Sequence, residues 1–385
     1  MYKNPYVLIG ADIVPTNSNS KLFINGDVKA LIGENLKKVL DAASYRIFNL
    51  EIPLVDQRTP IIKEGPNLIA TVNTIEGFRA LGVNLLTLAN NHILDQGIQG
   101  LESTMKTLNQ NKISYLGVGE NLDDASKPFV FSFNRKKIGV YACVEHEFSI
   151  AGENKPGANP FDPLWSFDHA AELKSKCDFV IILYHGGKEH YRYPSPMLQK
   201  VCRRFVDKGA DLVICQHSHC VGCEEKYKNS TIIYGQGNFI FDDCDDECWQ
   251  TSLLVKLNDD FTVSYLPIVK TENGVRLADI KKNNEIMEGF FTRSKEITIP
   301  GEIKKIYSKF ADSFLEFYLK AFLGRRSFIF RILNKLSKGE YMRRYLQNTY
   351  SAYDKVKIAN YIDCEAHREL FSQALSNSYK PLDSV

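Results

Sequence analysis

The chain has 385 residues, which is enough for two domains or for one large α/β domain with an appendage. Its 48 basic and 46 acidic side chains give a formal net charge of +2, which excludes a globally basic nucleic-acid-binding protein. The chain enters its first apolar run without a basic leader, and no apolar run reaches the roughly eighteen residues of a membrane-spanning helix. Because nine cysteines occur without a secretion signal, we expect reduced thiols in a cytoplasmic protein.

Hydrophobic periodicity predicts alternating strands and helices, with no internal repeat. Short apolar runs predict strands at 6–9, 45–50, 83–89, 114–118, 178–184, 210–215 and 231–234. Apolar residues at helical spacing predict helices at 32–43, 73–81, 98–109, 168–176 and 196–208. Paired runs at 129–134 and 137–144, and at 251–257 and 262–269, are typical of hairpins. The pattern indicates an α/β domain, which we place at residues 1–275.

The chain is organised around the stretch from Leu88 to Gly97. An apolar run leads into Asn91, His92 and Asp95, as when a buried strand ends at a polar site and turns into a helix. The amide of Asn91 can bind a metal, and the imidazole of His92 can protonate a leaving group. If a helix starts here, Asp95 lies one turn later and can fix the tautomer of the ring. The alternative is that His92 is a polar residue of the helix start.

Polar residues also follow other predicted strands. Asp12 and Glu51 come after the first two strands, His185 follows the strand at 178–184, and His217 and His219 follow the strand at 210–215. Ligands of α/β sheets bind outside the carboxyl ends of the strands, and residues two apart on an extended segment project to the same side. These residues are therefore expected to converge. The alternatives are a turn-capping Asp12 and a pair of unliganded loop histidines.

Carboxylate, amide and imidazole ligands together suit Zn, Mn or Fe rather than Ca or Mg alone. The candidates exceed the needs of one tetrahedral site, and an acid such as Glu51 can bridge two ions. Two ions about 3.5–4 Å apart are the arrangement that clamps an in-line displacement at phosphorus. His92, which is not needed as a ligand, can protonate the leaving oxygen. The residues predict a dinuclear metal-dependent hydrolase.

The motifs and their order resemble the capsule-synthesis CapA family, a branch of the calcineurin-like metallophosphoesterases. The resemblance covers residues 5–270. The motifs that carry it are Gly10-Ala11-Asp12 with Pro15, Asn49-Leu50-Glu51, Asn90-Asn91-His92-x-x-Asp95-x-Gly97, His185-x-Gly187-x-Glu189, His217-x-His219 and Tyr234-x-x-Gly237-Asn238-Phe239-x-Phe241-Asp242.

This resemblance implies a four-layer α/β/β/α sandwich that holds two divalent metal ions at the strand ends. The ligands implied for the first ion are Asp12, Glu51 and His219, and those implied for the second are Glu51, Asn91, His185 and His217. Beside these ligands, we expect His92 and Asp95 to be the catalytic pair, as their residue types and spacing indicate. Glu189 and Asn238 lie in two further motifs, and we expect them to contact the substrate.

Three positions depart from the wider superfamily. Val14 stands where a histidine usually follows the first aspartate, so one ion is expected to bind weakly. Glu51 replaces the usual aspartate, as in the CapA branch, and Ala11 separates a glycine and an aspartate that are adjacent in the family. Members often carry an N-terminal membrane anchor, which we do not expect in this chain.

Four cysteines follow the histidine pair. Cys220-x-x-Cys223 and Cys244-x-x-x-Cys248 have a spacing that a structural zinc site can use, and the second pair lies in an acidic run from Asp242 to Glu247. The alternative is four reduced thiols without a metal.

Residues 276–385 are predicted to form a separate helical, basic region. Large apolar residues between 314 and 336 are interleaved with the cations Lys320, Arg325, Arg326, Arg331 and Lys335. One interpretation is an amphipathic surface over 314–344 that touches anionic lipid, peripheral to the inner membrane, or a polyanionic polymer. The other is a helical appendage packed on the sandwich.

The predicted function is a phosphoesterase-like hydrolase in bacterial capsule or surface-polymer biosynthesis. Its expected partners are a phosphorylated or polyanionic polymer and the capsule synthase machinery, without specific nucleic acid. One alternative is a catalytically weak protein that binds the polymer or the synthase on the same scaffold. Another is a γ-glutamyl amide hydrolase, because bound metals can polarise either reacting centre.

Overall fold

A computed structural model of the chain describes residues 5–241, 244–323 and 328–379. Contacts among them separate a first unit, which extends to Lys305, from a second unit, which begins at Ile306. Two large sheets, a two-stranded ribbon and several helices make up the first unit, and the second unit is helical.

The strands are β1 Tyr6–Ile13, β2 Tyr45–Leu50, β3 Leu85–Thr87, β4 Ser114–Leu116, β5 Val118–Gly119, β6 Phe129–Phe133, β7 Lys136–Val144, β8 Gly157–Ala158, β9 Phe179–His185, β10 Leu212–Gln216, β11 Val221–Tyr227, β12 Ser230–Gln236, β13 Asn238–Ile240, β14 Thr251–Asn258, β15 Val263–Thr271 and β16 Gly274–Leu277. The helices are α1 Ser20–Ile24, α2 Val28–Ala42, α3 Ile75–Ala80, α4 Gly97–Gln110, α5 Leu122–Ala125, α6 Ser166–Lys176, α7 Pro196–Asp207, α8 Ile280–Glu296, α9 Glu302–Ala321, α10 Phe328–Leu336, α11 Glu340–Thr349, α12 Ala352–Asp363 and α13 Glu365–Tyr379.

The first sheet has the strand order β16-β15-β14-β1-β2-β3-β4, and β13 pairs with the end of β1. Strands β1 to β4 run parallel, so their carboxyl ends lie at one edge, whereas β14 runs antiparallel to β1. All eight residues of β1 are buried, as expected for a central parallel strand. The edge of the sheet therefore carries Asp12 at the end of β1 and Glu51 directly after β2.

The second sheet has the order β11-β12-β10-β9-β7-β6, with β7, β9, β10 and β12 parallel. Alternate residues of β9 face opposite sides. Ile181 and Leu183 share a core with the first sheet, whereas Val180 and Ile182 pack with Phe205 of α7. The second sheet is thus buried between the first sheet and its own helices.

The other helices complete the layers. Leu36 of α2, Phe78 of α3 and Leu101 of α4 join the core of the first sheet. The predicted four-layer α/β/β/α arrangement is confirmed. Both predicted hairpins are also present, as β6 with β7 and β14 with β15.

Helix α8 lies with the first unit. Its Ile286 and Phe290 form a small apolar cluster with Val221 of β11 and Leu253 of β14. The contacts divide the chain after Lys305, and the domain boundary at 275/276 stays a prediction.

The second unit contains most of α9 and the helices α10 to α13. Leu319 and Leu346 are buried within it, and Phe330 of α10 packs on Tyr341 and Tyr345 of α11. Among the described residues, no helix combines the length and apolar character needed to cross a membrane. Arg325 and Arg326, named among the cations of this region, lie outside the described residues.

Candidate metal centre

The carboxyl ends of strands from both sheets meet at one buried site. Asp12 is the penultimate residue of β1, Glu51 follows β2, His185 ends β9, and His217 and His219 follow β10. All five side chains are buried, with Asp12 and Glu51 fully shielded from solvent. The predicted convergence of these residues is present in the structure.

Three groups of side chains have ligand atoms that lie within 4.8 Å of one another. One group is Glu51, His185 and His217, and another is Asp12, Glu51 and His219. Glu51 belongs to both, which is the position a bridging ligand requires. A third group joins Glu189 to His217 and His219. Glu189, expected to contact substrate, thus also lies where it can bind a metal.

The amide of Asn91 completes the half of the site around His185. Its Oδ1 lies 3.0 Å from His185 Nε2, and the same ring nitrogen lies 3.2 Å from Glu51 Oε1. The Nδ1 atom of His217 is 3.2 Å from it. One ring nitrogen of His185 therefore faces an amide oxygen, a carboxylate and a second imidazole, as expected where ligands point to a common centre.

Asn238 is placed by a short strand. Residue Asn238 of β13 pairs with Asp12 of β1, and its Oδ1 lies 2.8 Å from His219 Nδ1. It therefore holds the ring of a candidate ligand, and its expected contact with substrate stays a prediction. Trp249 covers His219 from another side, with ring centroids 4.5 Å apart.

Asn49 has a role that the sequence did not reveal. Its Nδ2 donates to Asp12 Oδ1 at 2.7 Å and lies 3.3 Å from His185 Nδ1. Asn90 Nδ2 donates to Asn49 Oδ1 at 3.1 Å. This chain of amides orients one ligand from each sheet, as hydrogen bonds behind metal ligands commonly do. In the sequence, Asn49 was marked only by its position two residues before Glu51 in the motif Asn49-Leu50-Glu51.

The donor set fits a cation. Asp12 Oδ2 and both carboxylate oxygens of Glu51 are buried and have no hydrogen-bond partner among the described residues. Burying such oxygens without a partner is costly, and a bound cation would satisfy them. Carboxylate oxygens with imidazole nitrogens suit Zn, Mn or Fe. The residues present therefore fit divalent metal ions.

Burial and the close approach of charged groups shift the pKa values of Asp12, Glu51 and His217. Burial raises the pKa of Asp12, and the carboxylate of Glu51 raises it further. Burial opposes ionisation of Glu51, but the charge of His185 holds the pKa of that carboxyl below its usual range. Burial lowers the pKa of His217, and the neighbouring His185 adds to this effect. His217 therefore favours the neutral form, which is the form that binds metals.

The backbone at the histidine pair is unusual. His217 and His219 have φ angles of 88° and 54°, in the left-handed region that residues with a side chain rarely occupy. Such conformations persist where surrounding contacts impose them, and they cluster at functional sites. Here they bring two rings, whose centroids are 6.0 Å apart, to one cluster.

His92 lies beside the ligands, and its ring is fixed from behind. Its Nδ1 is 2.6 Å from Asp95 Oδ2. The residues from Asn91 to Gln96 form turns, and α4 begins only at Gly97. The expected contact between His92 and Asp95 is therefore present, although a turn rather than a helix makes it. With Nδ1 held by a carboxylate, Nε2 is the ring nitrogen that remains for chemistry.

Lys63 is a component that sequence reasoning missed. Its ammonium group pairs with Asp95, its side chain is 2% exposed, and its Nζ lies 3.2 Å from His92 Nδ1. Lys63 lies in an irregular segment between β2 and α3, where no periodicity or motif marks it. The segment is tied to the site because Leu68 N donates to Asp95 Oδ2 at 2.6 Å and Ile61 N donates to Asp95 O at 3.1 Å.

The four cysteines do not form the zinc site that their spacing allowed. Among the described residues, no group of three potential metal ligands includes a cysteine. Cys223 packs in the core between the second sheet and its helices, whereas Cys220, Cys244 and Cys248 lie with the core between the sheets. The sheet thus separates Cys223 from the others. Asp242 of the acidic run lies outside the described residues.

Comparisons with known proteins agree with the motifs. The family model described as "Bacterial capsule synthesis protein PGA_cap" matches residues 10–243. The capsule biosynthesis protein CapA of Bacillus anthracis is 29% identical over 212 residues, which cover 53% of this chain and 52% of that protein. The PGA biosynthesis protein CapA of Bacillus subtilis strain 168 is 27% identical over 220 residues, which cover 55% of this chain and 57% of that protein. The chain thus spans about half the length of these relatives.

A solved structure with a related outline is described as a novel phosphatase from Mycoplasma pneumoniae. It is 16% identical, has a TM-score of 0.43, and covers 70% of this chain and 95% of its own. A likeness of this size carries no statement about activity. The family model, in contrast, spans more than half of the 385 residues and includes every candidate ligand. The chain therefore belongs to the family of bacterial capsule synthesis proteins that this model describes.

Proposed function

We propose that the chain is a dinuclear metal-dependent hydrolase of the phosphoesterase type, which serves the synthesis of a bacterial capsule or another surface polymer. One observation supports this most. Three buried carboxylate oxygens, from Asp12 and Glu51, lack any hydrogen-bond partner among the described residues and lie among three buried histidines. The biological setting is inferred from the family and from the printed names of the relatives.

The ligand assignment follows the geometry. Asp12, Glu51 and His219 would hold one ion, and Glu51, Asn91, His185 and His217 would hold the other. Glu189 is a further candidate ligand between the two histidines after β10. When bound, such a pair of ions supplies Lewis acidity toward a phosphoryl oxygen and toward an attacking water.

His92 supplies the proton. Because Asp95 accepts from Nδ1 at 2.6 Å, the ring presents Nε2 to the leaving oxygen of the substrate. Lys63 pairs with the second oxygen of Asp95 and so keeps this carboxylate in place. The three side chains form a compact cluster, because Lys63 Nζ also lies 3.2 Å from His92 Nδ1.

A cavity of about 360 Å³ beside the ligands can receive the substrate. It begins at Val14, two residues after Asp12, includes Ile52, directly after Glu51, and reaches Phe241, whose ring centroid is 5.7 Å from that of His219. Arg58 is the one charged residue among its described lining residues. A cavity with one cation and no carboxylate suits an anionic substrate, such as a phosphorylated or acidic polymer.

We also propose a cytoplasmic setting, because all nine cysteines are free thiols. The synthase machinery of the polymer remains the expected partner.

The test is a substrate screen with the full chain loaded with Mn²⁺ or Zn²⁺. Phosphomonoesters, phosphodiesters and γ-glutamyl amides are supplied in parallel, and bound metal is measured in the same samples. Cleavage of phosphoesters that is lost in Glu51→Gln and retained in Glu288→Gln, an exposed residue of α8, supports the proposal. Cleavage of the amides alone assigns the site to amide hydrolysis. Two bound metals without any turnover would instead indicate a polymer-binding or synthase-binding protein.

A further inference from the structure

Helix α10 in the second unit presents a continuous apolar face to solvent. Five of its nine residues are large, apolar and exposed: Phe328 69%, Ile329 69%, Ile332 41%, Leu333 39% and Leu336 76%. They occupy the first, second, fifth, sixth and ninth positions, a spacing that places all five on one side of a helix. We call these five residues the α10 stripe.

The opposite side of α10 is fixed by packing on α11. Phe330 lies between Tyr341 and Tyr345, with ring centroids 5.0 Å and 5.1 Å away. Met342 N donates to Asn334 Oδ1 at 3.0 Å. Because Phe330 and Asn334 hold one side of α10 against α11, the helix cannot rotate to bury its stripe there. The stripe is therefore an outward surface of the helix pair.

Cations border the stripe. Arg331 and Lys335 lie on α10 itself, and Lys338 follows it. None of the three makes an ion pair with a carboxylate among the described residues, whereas Arg343 and Arg344 of α11 both pair with Glu340. The guanidinium of Arg331 lies 5.9 Å from the ring of Phe328, directly beside the stripe. The edge of the stripe thus carries positive charge that no carboxylate of the described residues neutralises.

We propose that the α10 stripe binds the surface of an anionic phospholipid bilayer. A helix that combines an apolar face with cations along its edge lies in the interface, where the apolar side chains enter the acyl boundary and the cations meet lipid phosphates. A helix of nine residues is too short to span the roughly 30 Å hydrocarbon core, so it binds parallel to the surface. Charge complementarity selects anionic lipid over neutral lipid, and this inference does not depend on the proposed hydrolase activity.

The experiment is cosedimentation of the full chain with vesicles of phosphatidylcholine, with or without about one third phosphatidylglycerol. We expect binding to the mixed vesicles alone, weakened by high salt because the cations contribute. The double variant Ile329→Asp/Leu333→Asp should lose binding, and Arg331→Gln/Lys335→Gln should weaken it about tenfold or more. Leu164→Asp, which places the same charge at a residue 74% exposed in the first unit, should bind as the native chain does.

Circular dichroism should confirm that each variant is folded, because all four altered residues of α10 are exposed to solvent. Three results would overturn the proposal. The chain could fail to sediment with mixed vesicles, or sediment equally with neutral ones. Alternatively, light scattering could show a dimer that the Ile329→Asp/Leu333→Asp variant abolishes, which would mean that a second copy covers the stripe.

Discussion

Lys63 and Asp95 form an ion pair that is closed off from solvent, with side chains 2% and 0% exposed. The pair joins an irregular segment to the turn that carries His92, and Asp95 uses its other oxygen to hold the imidazole. Asp95 thus contacts both Lys63 and His92. The orientation of the His92 ring therefore depends on the position of the irregular segment that carries Lys63.

The first prediction concerns this pair. Lys63→Met should lower the free energy of unfolding by about 3–5 kcal/mol, because it leaves a buried carboxylate without its cation. Urea unfolding in the presence of a chelator measures this without a contribution from bound metal. Lys29→Met is the matched control, since its ion pair with Glu34 is exposed, with side chains 72% and 56% accessible, and its loss should not be measurable. Equal effects of the two variants would contradict the structural role of Lys63.

The second prediction concerns ligation. His217→Ala should reduce bound metal more than His185→Ala does, because His217 belongs to two of the three ligand groups and His185 to one. Elemental analysis of the purified chain gives the metal content. His169→Ala, which removes a histidine of α6 outside the cluster, should retain the native content. Unchanged metal in both cluster variants would show that the site is wrongly placed.

The third prediction concerns Val14. This side chain is buried and borders the cavity beside Asp12, so an imidazole at this position can reach the first ion. Val14→His should therefore slow the loss of the more weakly held metal to a chelator. Stopped-flow release with a metal indicator resolves the two ions. If both ions leave in a single step, and Val14→His does not alter that step, the two sites bind metal with equal affinity and the prediction is wrong.

The fourth prediction concerns His92, which the structure places with Nδ1 on Asp95. His92→Asn should leave metal content nearly intact and slow turnover by roughly 10²–10⁴-fold, the usual range for a positioned proton donor. The loss should be smaller for aryl phosphates, whose leaving groups need little protonation. A variant that loses its metals, or that is slowed equally for good and poor leaving groups, would contradict this role.

The fifth prediction concerns alkaline stability. Burial raises the pKa of Tyr45 from 10.0 to about 12, and its ring stacks on Phe131 with centroids 4.1 Å apart. The folded protein therefore keeps this proton at a pH where the unfolded chain releases it, so stability is lost as the pH rises from 10 towards 12. Tyr45→Phe removes this titration. Its unfolding free energy should fall less steeply above pH 10 than that of the native chain, in denaturant titrations at several pH values.

Much of the site was readable in the sequence because ligands at strand ends follow apolar runs that mark the strands. The strand that carries Asp12 shows where the prediction from apolar runs was incomplete. The predicted first strand ended at Ile9, because Gly10 resembles a break, yet β1 continues to Ile13. Gly10 stays in the strand since the ring of Phe48 lies 2.3 Å from where a Cβ would be, so the glycine serves close packing.

Other features had no local signal. Lys63 acts through a contact that spans 32 positions of sequence to Asp95, in a segment without regular structure. The spacing of His92 and Asp95 predicted their contact, but not the turn that makes it. The cysteine spacing was misleading, because sequence distance does not show on which side of a sheet each thiol lies.

The wide spread of the ligands along the chain has a consequence for biosynthesis. Asp12 lies in β1 and Glu51 directly follows β2, whereas every histidine in their groups ends or closely follows a strand of the second sheet. A nascent chain that has emerged only as far as β7 holds both carboxylates but none of the ring nitrogens that complete either group. The Asn238 amide that holds His219 emerges later still. Metal competence is therefore acquired only after β10 has been made, and a ribosome-bound fragment that stops before β9 should not retain the ions.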